Sequence, residues 1–140
     1  MPQVQAECRS ISGKRWSYCG SHYFHHAILH DHPLKMTYQL RYCFDLGSGT
    51  CLWADNDPAR AQFDYAIDHH ALPLSRNTLC WLDYLLAWFD TAIDWDSPAT
   101  IRWSSEERAR FHAASQRGLA LLRAELSSEH FSIIDATQAI

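Results

Sequence analysis

Lysine is almost absent from this chain of 140 residues, since Lys14 and Lys35 are the only two. From residue 36 onward, eight arginines face ten aspartates and four glutamates, a net charge of −6, whereas residues 1–35 carry +2. An acidic body repels nucleic acid and attracts basic surfaces. The composition therefore predicts no nucleic-acid partner and favours a partner that is basic at the contact.

Long hydrophobic runs are also absent. No stretch approaches the 18 apolar residues of a membrane span, and no continuous apolar core of a signal peptide appears near the start. The five cysteines are an odd number without paired spacing, which disfavours a disulfide framework. These absences predict a cytoplasmic protein with free thiols and without membrane contact.

The usual catalytic motifs are missing. There is no Gly-x-Ser-x-Gly nucleophile elbow, and Gly47-Ser48-Gly49 has the form of a hairpin turn, not of a phosphate-binding loop. Cys43, Cys51 and Cys80 fall in predicted strands or an apolar helix, where cysteine behaves as a small buried hydrophobe. The sequence therefore favours a non-enzyme without a cofactor.

Histidine offers the strongest alternative. Zinc ligand types crowd into one short stretch, in the order Cys19, His22, His25, His26, His30 and His32. A structural zinc site normally has ligand pairs a dozen or more residues apart, so we expect no metal site here. The open alternative is a small metal-dependent enzyme or metal-binding regulator that uses this His-rich segment.

Two shorter patterns point weakly to acid–base or cation chemistry. Asp68-His69-His70 offers a carboxylate–imidazole pair, and Asp94-x-Asp96 offers oxygen ligands for a divalent cation. Neighbouring residues on a strand or loop tend to point in different directions. Proximity along the chain is therefore weak support for either site.

The chain divides into two segments of different character. Residues 1–35 show no helical stripe, whereas regular alternation starts directly after Met36. We expect residues 1–35 to be an irregular extension and residues 36–140 to be one α+β domain. Whether Met36 is the natural initiator, with the extension upstream of it, stays open.

Alternation and capping signals predict the first elements. Residues 38–46 alternate apolar and polar side chains as a half-buried strand does, and "CLWA" (residues 51–54) returns as a second strand after the glycine turn. Asp55, Asn56 or Asp57 is placed to cap a short helix that has Pro58 at its start and ends near Phe63.

Two long helices and a last strand follow. Ser75 is a good N-cap for a helix over residues 76–91, and Ser104 with Glu107 forms a capping box for a helix to about Leu126. Gly118 lies on the core face of the second helix, where it indicates close packing against the first. With a strand over residues 130–135, the prediction is an α+β fold, in which a small antiparallel sheet packs on two long helices and one short helix.

Tryptophan is frequent, with six residues, and three aromatic residues form a stripe of their own. Trp81, Tyr84 and Trp88 lie beside the apolar core stripe of the first long helix, while Asp83 and Asp90 lie on the opposite side. Burial between two elements explains the aromatic stripe most simply. The alternative is an exposed ridge for a partner.

Acidic residues cluster in the two connections that flank the first long helix. Asp is a common turn residue, so each one is explained most simply as a cap in a solvated loop. Jointly, acidic loops and tryptophans suit a protein that covers a basic groove, because charge speeds association and buried aromatic rings hold the complex.

One family combines these motifs in this order. The segments "CLWADNDPARAQFDYAID", "LPLS", "FDTAIDWDSP", "WSSEERARF" and "LLRAEL" resemble small bacterial immunity proteins encoded beside polymorphic or contact-dependent toxins, over about residues 36–135. The resemblance implies a non-enzymatic, cytoplasmic antidote that binds a cognate toxin domain. It supplies no contact residues. Charge and helical position select Asp55, Asp57, Asp64, Asp68, Trp81, Asp83, Tyr84, Trp88, Asp90, Asp94, Trp95 and Asp96.

Overall fold

A computed structural model describes residues 36–98 and 100–137 of the chain. The predicted extension over residues 1–35, with its histidines, lies outside the described residues. The elements follow in the order β1 (Tyr38–Tyr42), β2 (Leu52–Ala54), α1 (Asp57–Phe63), a 3-10 turn (His69–Ala71), α2 (Arg76–Asp90), α3 (Ser105–Glu125) and β3 (Phe131–Asp135).

The three strands form one mixed sheet in the order β2-β1-β3. Leu40 of β1 pairs with Ala54 in an antiparallel ladder and with Ile133 in a parallel one. The predicted α+β class and the predicted hairpin are confirmed. The predicted antiparallel pairing is correct for the hairpin of β1 and β2. The last strand, β3, instead runs parallel to β1.

The direction of β3 follows from how the two long helices pack. Ser75 at the start of α2 meets Glu125 at the end of α3, and Trp88 near the end of α2 meets Glu107 near the start of α3. The helices are therefore antiparallel and return the chain to the end of the sheet where β2 finished. From there β3 must run opposite to β2, and so parallel to β1.

Side-chain caps start all three α-helices of the described residues. Asn56, Ser75 and Ser104 each accept a hydrogen bond from the backbone N–H three residues further on. The predicted caps at Ser75 and Ser104 are confirmed, and Asn56 is the one of three candidates that caps α1. Among the described residues, no helix has both the length and the apolar composition needed to cross a membrane.

The core lies between one face of the sheet and the long helices. Leu40, Tyr42 and Leu52 alternate inward with period two, as half-buried strands require. The helical stripes predicted from the sequence face them and supply Leu82, Leu85, Phe89, Phe111, Leu119 and Leu122. The helices therefore cover one face of the sheet.

Gly118 marks the place where the sheet, α2 and α3 approach one another most closely. A Cβ atom at Gly118 would lie 2.7 Å from Tyr42 Oη and 2.9 Å from Leu85 Cδ1. The Tyr42 hydroxyl is buried and donates a hydrogen bond to the carbonyl of Ser115, one helical turn earlier. The predicted close packing of Gly118 on the first long helix is confirmed, and the sheet takes part in it.

We expect Gly118→Ala to destabilise the fold. Alanine gains about 1 kcal/mol of helix propensity over glycine. Overpacking a core with an added methyl group costs typically about 1–3 kcal/mol, and the buried Tyr42 ring has little room to move. Urea denaturation of the variant and the parent chain measures the difference in unfolding free energy.

Tyr42→Phe provides the matched control, because it removes the atom nearest to the new methyl group. Gly118→Ala should cost less in the Tyr42→Phe background than in the parent chain, which a double-mutant cycle resolves. A Gly118→Ala variant more stable than the parent would show that the neighbours give way and that the contact is not tight.

Glu125 joins the end of α3 to the start of α2. Its carboxylate accepts hydrogen bonds from the Ser75 backbone N–H at 2.6 Å and from the Ser75 hydroxyl at 2.8 Å. Hydrogen bonds lower the pKa of the Glu125 carboxyl below its usual 4.5. The bond from the backbone N–H of Ser75 has the largest effect, and the bonds from the hydroxyls of Thr78 and Ser75 have smaller ones. The partial positive charge of a helix N-terminus favours the same ionised form.

The lowered pKa predicts a pH-dependent stability. The contribution of Glu125 is complete above the unfolded-state pKa of about 4.5 and is lost as the pH falls through the lower folded-state pKa. We therefore measure the urea midpoint of each protein at neutral pH and again well below pH 4.5. The difference between the two midpoints should be smaller in Glu125→Gln than in the parent chain. Asp55→Asn, at an exposed loop position, is the control, and an equal loss in all three proteins would contradict the assignment.

Candidate functional site

The outward side of α2 is open to solvent along its whole length. Arg76, Cys80, Asp83, Ala87 and Asp90 are exposed and recur at intervals of three or four residues, so they form one stripe. The predicted position of the two aspartates, away from the core, is confirmed. The prediction of a buried Cys80 is wrong, because its place in the helical repeat falls on this stripe.

The aromatic residues of α2 form a continuous row beside that stripe. The ring of Tyr84 lies 5.5 Å from the ring of Trp81 and 5.7 Å from that of Trp88. Tyr84 is 52% exposed, while the two tryptophans are half-buried against α3. Trp88 Nε1 donates to Glu107, and the Arg117 guanidinium stacks over Trp81 at 4.7 Å. Packing against α3 thus explains the positions of Trp81 and Trp88. Of the three rings, only that of Tyr84 is exposed, as the alternative of a ridge for a partner requires.

The connection after α2 holds Trp95 at the surface. Trp95 is 77% exposed, more than any other large hydrophobic side chain among the described residues. The turn around it is ordered, because Asp94 Oδ1 accepts the backbone N–H of Asp96 and Asp94 lies 3.8 Å from Arg102. A bridge between Ile93 and Ile101 closes its base. The segment is therefore a capped turn that carries an exposed indole.

Three of the four aspartates of the first acidic connection have a local structural role. Asp64 ends α1 with a positive φ of 72° and accepts the backbone N–H of Tyr65, and Asp68 caps the 3-10 turn. Asp57 lies in the first turn of α1, 3.8 Å from Arg60. Asp55 is exposed. These contacts agree with the simpler of the two interpretations, in which the aspartates cap turns and short helices in solvated loops.

The structure separates the aspartates of α1 from those that follow α2. The ring of Phe63 in α1 packs 5.2 Å from that of Tyr38, at the start of β1. The ring of Phe89 at the end of α2 packs 5.4 Å from that of Phe44, two residues beyond the end of β1. Six extended residues span roughly 20 Å, so the aspartates of α1 and those after α2 lie at opposite ends of the sheet.

A cluster of two histidines and one carboxylate lies between these ends. His69 Nε2 and His70 Nε2 lie 2.8 Å and 3.1 Å from the same oxygen, Asp83 Oδ1. The two imidazole rings are 4.4 Å apart, and His69 is 4% exposed. Asp68, the carboxylate adjacent in sequence, accepts the backbone N–H of His70 instead. The carboxylate–imidazole contact suspected from Asp68 is therefore made by Asp83, from another element.

The electrostatics of Asp83 reflect this contact. Partial burial raises the pKa of the Asp83 carboxyl, but hydrogen bonds from His69 and His70 outweigh that effect. The pKa therefore lies below its usual range. An ionised carboxylate beside two imidazoles can coordinate a cation and can accept hydrogen bonds from donors.

Sequence comparison identifies the family. A profile of the family described as Serratia CdiI immunity protein-like matches residues 38–133. The chain belongs to this family. The match begins at the first residue of β1 and ends inside β3, so it covers the sheet, the helices and every residue selected as a candidate contact. No curated protein matches the chain.

The cysteines of this immunity protein-like chain differ in environment. Burial raises the pKa of the Cys51 thiol to about 12 and also raises the pKa of Cys43. A nucleophilic cysteine needs the opposite shift, because the thiolate is the reactive form. The prediction that Cys51 is a buried small hydrophobe is confirmed, and Cys43 is half-buried.

Sequence reasoning missed a second surface, on the face of the sheet away from α2 and α3. Arg41 and Trp53 pair across the strands, and an Arg41 guanidinium N–H donates to the Tyr65 hydroxyl at 3.2 Å. With Cys43 and Asp45 they line a pocket of about 340 Å³. The alternation in β1 places Arg41 on this face, but Tyr65 arrives from a loop that no periodic pattern indicates.

Proposed function

We propose that this member of the Serratia CdiI immunity protein-like family is an antidote that binds a cognate toxin domain and blocks it by occlusion. The observation that carries the proposal is the exposed indole of Trp95 between Asp94 and Asp96. Tryptophan is enriched at interface hot spots, and a largely exposed indole retains unfavourable apolar surface.

The surface we propose runs from the outward side of α2 into the turn after it. Asp83, Tyr84 and Asp90 supply the helical part, and Asp94, Trp95 and Asp96 supply the turn. The hydrogen bond from the backbone of Asp96 to Asp94 holds this turn before any partner binds. A preorganised turn loses less conformational entropy on association, which favours tight binding.

The partner would be basic at the contact. The domain from residue 36 onward carries a net charge of −6, and the aspartates of this surface would speed the encounter with a positively charged groove. The candidates Asp55, Asp57 and Asp64 lie at the other end of the sheet and would contribute to the long-range field rather than to the contact. Asp68 caps the 3-10 turn whose histidines touch Asp83, so it lies beside the helical part of this surface.

We propose further that the protein acts by binding alone, in the cytoplasm, without a catalytic step and without a nucleic-acid or membrane partner. The raised thiol pKa values of Cys43 and Cys51 support a non-catalytic role. The free thiols of the described residues suit a reducing compartment.

Co-expression with the product of the neighbouring toxin gene tests the proposal. We expect a stable complex of fixed stoichiometry by size exclusion, and we expect cells that express the toxin to survive only when this chain is present. A monomer that elutes alone and gives no protection would refute the antidote role.

Trp95→Ala tests the surface itself. We expect affinity for the toxin domain to fall by about 2 kcal/mol or more, mainly through faster dissociation, as at interface hot spots. The melting temperature should stay unchanged because the side chain is 77% exposed. Calorimetric or optical binding measurements, combined with thermal denaturation, separate the two effects.

Two matched charge variants complete the experiment. Asp90, Asp94 and Asp96 changed together to Asn should slow association, whereas Asp55, Asp57 and Asp64 changed together to Asn remove the same charge at the other end of the sheet. Equal effects of the two triple variants on the association rate would mean that only net charge matters. Unchanged affinity in Trp95→Ala would remove this turn from the contact.

A further inference from the structure

We propose that His69, His70 and Asp83 form a binding site for a divalent transition metal ion, with Zn²⁺ the best match. One ligand atom from each residue, Nε2 of the two histidines and a carboxylate oxygen, lies within 4.8 Å of the others. Imidazole nitrogen and carboxylate oxygen are ligands that zinc accepts readily, and sites with three protein ligands leave a coordination position open.

The separations between the ligand atoms are close to those that an ion requires. Bonds of about 2.0–2.1 Å in tetrahedral geometry place ligand atoms roughly 3.3 Å apart. The two Nε2 atoms lie 2.8 Å and 3.1 Å from Asp83 Oδ1. Each histidine nitrogen would have to move only a few tenths of an ångström away from Asp83 Oδ1 for an ion to replace these two hydrogen bonds.

Rigid elements hold all three ligands. His69 and His70 lie in a 3-10 turn that the Asp68 side chain caps and that a hydrogen bond from the Leu72 N–H to the His69 carbonyl closes. Asp83 belongs to α2 and follows the fully buried Leu82. Ligands on ordered elements bind a metal with little loss of conformational freedom.

One ligand of this site is buried and the other two are accessible to solvent. The His69 side chain is almost buried, whereas the side chains of His70 and Asp83 are each about half exposed, at 51% and 50%. An ion bound between them would be fixed on the protein side and open to solvent or to another ligand on the other. It would also cross-link the 3-10 turn to α2, in place of the two hydrogen bonds that join them through Asp83.

The ligands of this site are other residues than those of the His-rich segment that the sequence singled out, and the site does not depend on the proposed antidote function. Its ligands come from positions 13 and 14 residues apart in the chain, brought together by the fold. The test uses the chain alone, without a toxin. Its failure would therefore leave the antidote proposal untouched, and failure of the toxin experiment would leave the metal site untouched.

Zinc titration of the full-length chain, freed of metal by a chelator, tests the site. Histidines at positions 22, 25, 26, 30 and 32 are first replaced by Gln, so that adventitious binding to that segment does not obscure the result. Calorimetry should then show one Zn²⁺ per chain, and thermal denaturation should show a midpoint that rises with Zn²⁺, because a ligand of the folded state stabilises it.

Two surface variants remove one ligand each with little risk to the fold. In His70→Gln and Asp83→Asn the Zn²⁺ affinity should fall by more than about 100-fold, beyond the effect of outer-shell substitutions, and the zinc-dependent rise in the midpoint should disappear. His130→Gln, an exposed histidine in the turn before β3, is the matched control and should retain both.

Cys80→Ser is the second control, because an exposed thiol one helical turn before Asp83 also attracts zinc. Full binding in this variant supports the proposed ligand set, and loss of binding in it alone would overturn that set. The proposal also fails if the five-Gln background binds no zinc, or if His70→Gln and Asp83→Asn bind it as tightly as that background.

Discussion

The close approach at Gly118 is the constraint on which the rest of the structure depends. At this position the backbone of α3 meets the hydroxyl of Tyr42 from the sheet and the side chain of Leu85 from α2, at distances that leave no room for a methyl group. The buried bond from Tyr42 to the Ser115 carbonyl fixes the same contact. Because the sheet and both long helices converge there, the absence of a side chain at Gly118 allows the close approach of α2 and α3, and this packing contributes to the direction of the outward side of α2.

The two sides of α2 differ in burial. Its inward residues, Leu82, Leu85 and Phe89, complete the core, and its aromatic row is partly used for packing against α3. The outward side keeps Asp83 and Asp90 in solvent, and the turn that follows presents Trp95. A surface on a helix anchored so firmly is rigid, which suits the tight recognition expected of an immunity protein-like family member.

Several aspartates have structural roles that are independent of the recognition proposed for this domain. Asp64 and Asp68 end or start short elements, and Asp94 caps its own turn, so removal of any of them acts first on local structure. Their negative charge nevertheless contributes to the field around the domain. Charge variants interpreted as contact residues therefore need a matched change elsewhere on the same molecule.

Much of the fold followed from the sequence alone because its causes are local. Alternation in β1, the caps at Ser75 and Ser104, and the apolar stripes of the two long helices all depend on neighbours a few residues away, and the family resemblance rested on motifs in linear order. The tertiary structure decided the parallel direction of β3, the distance between the aspartates of α1 and those after α2, and the meeting of His69 and His70 with Asp83. The first depends on how the antiparallel helices return the chain to the sheet, and the other two depend on how α2 packs on the sheet and on the turn before it. No spacing along the sequence encodes these tertiary contacts.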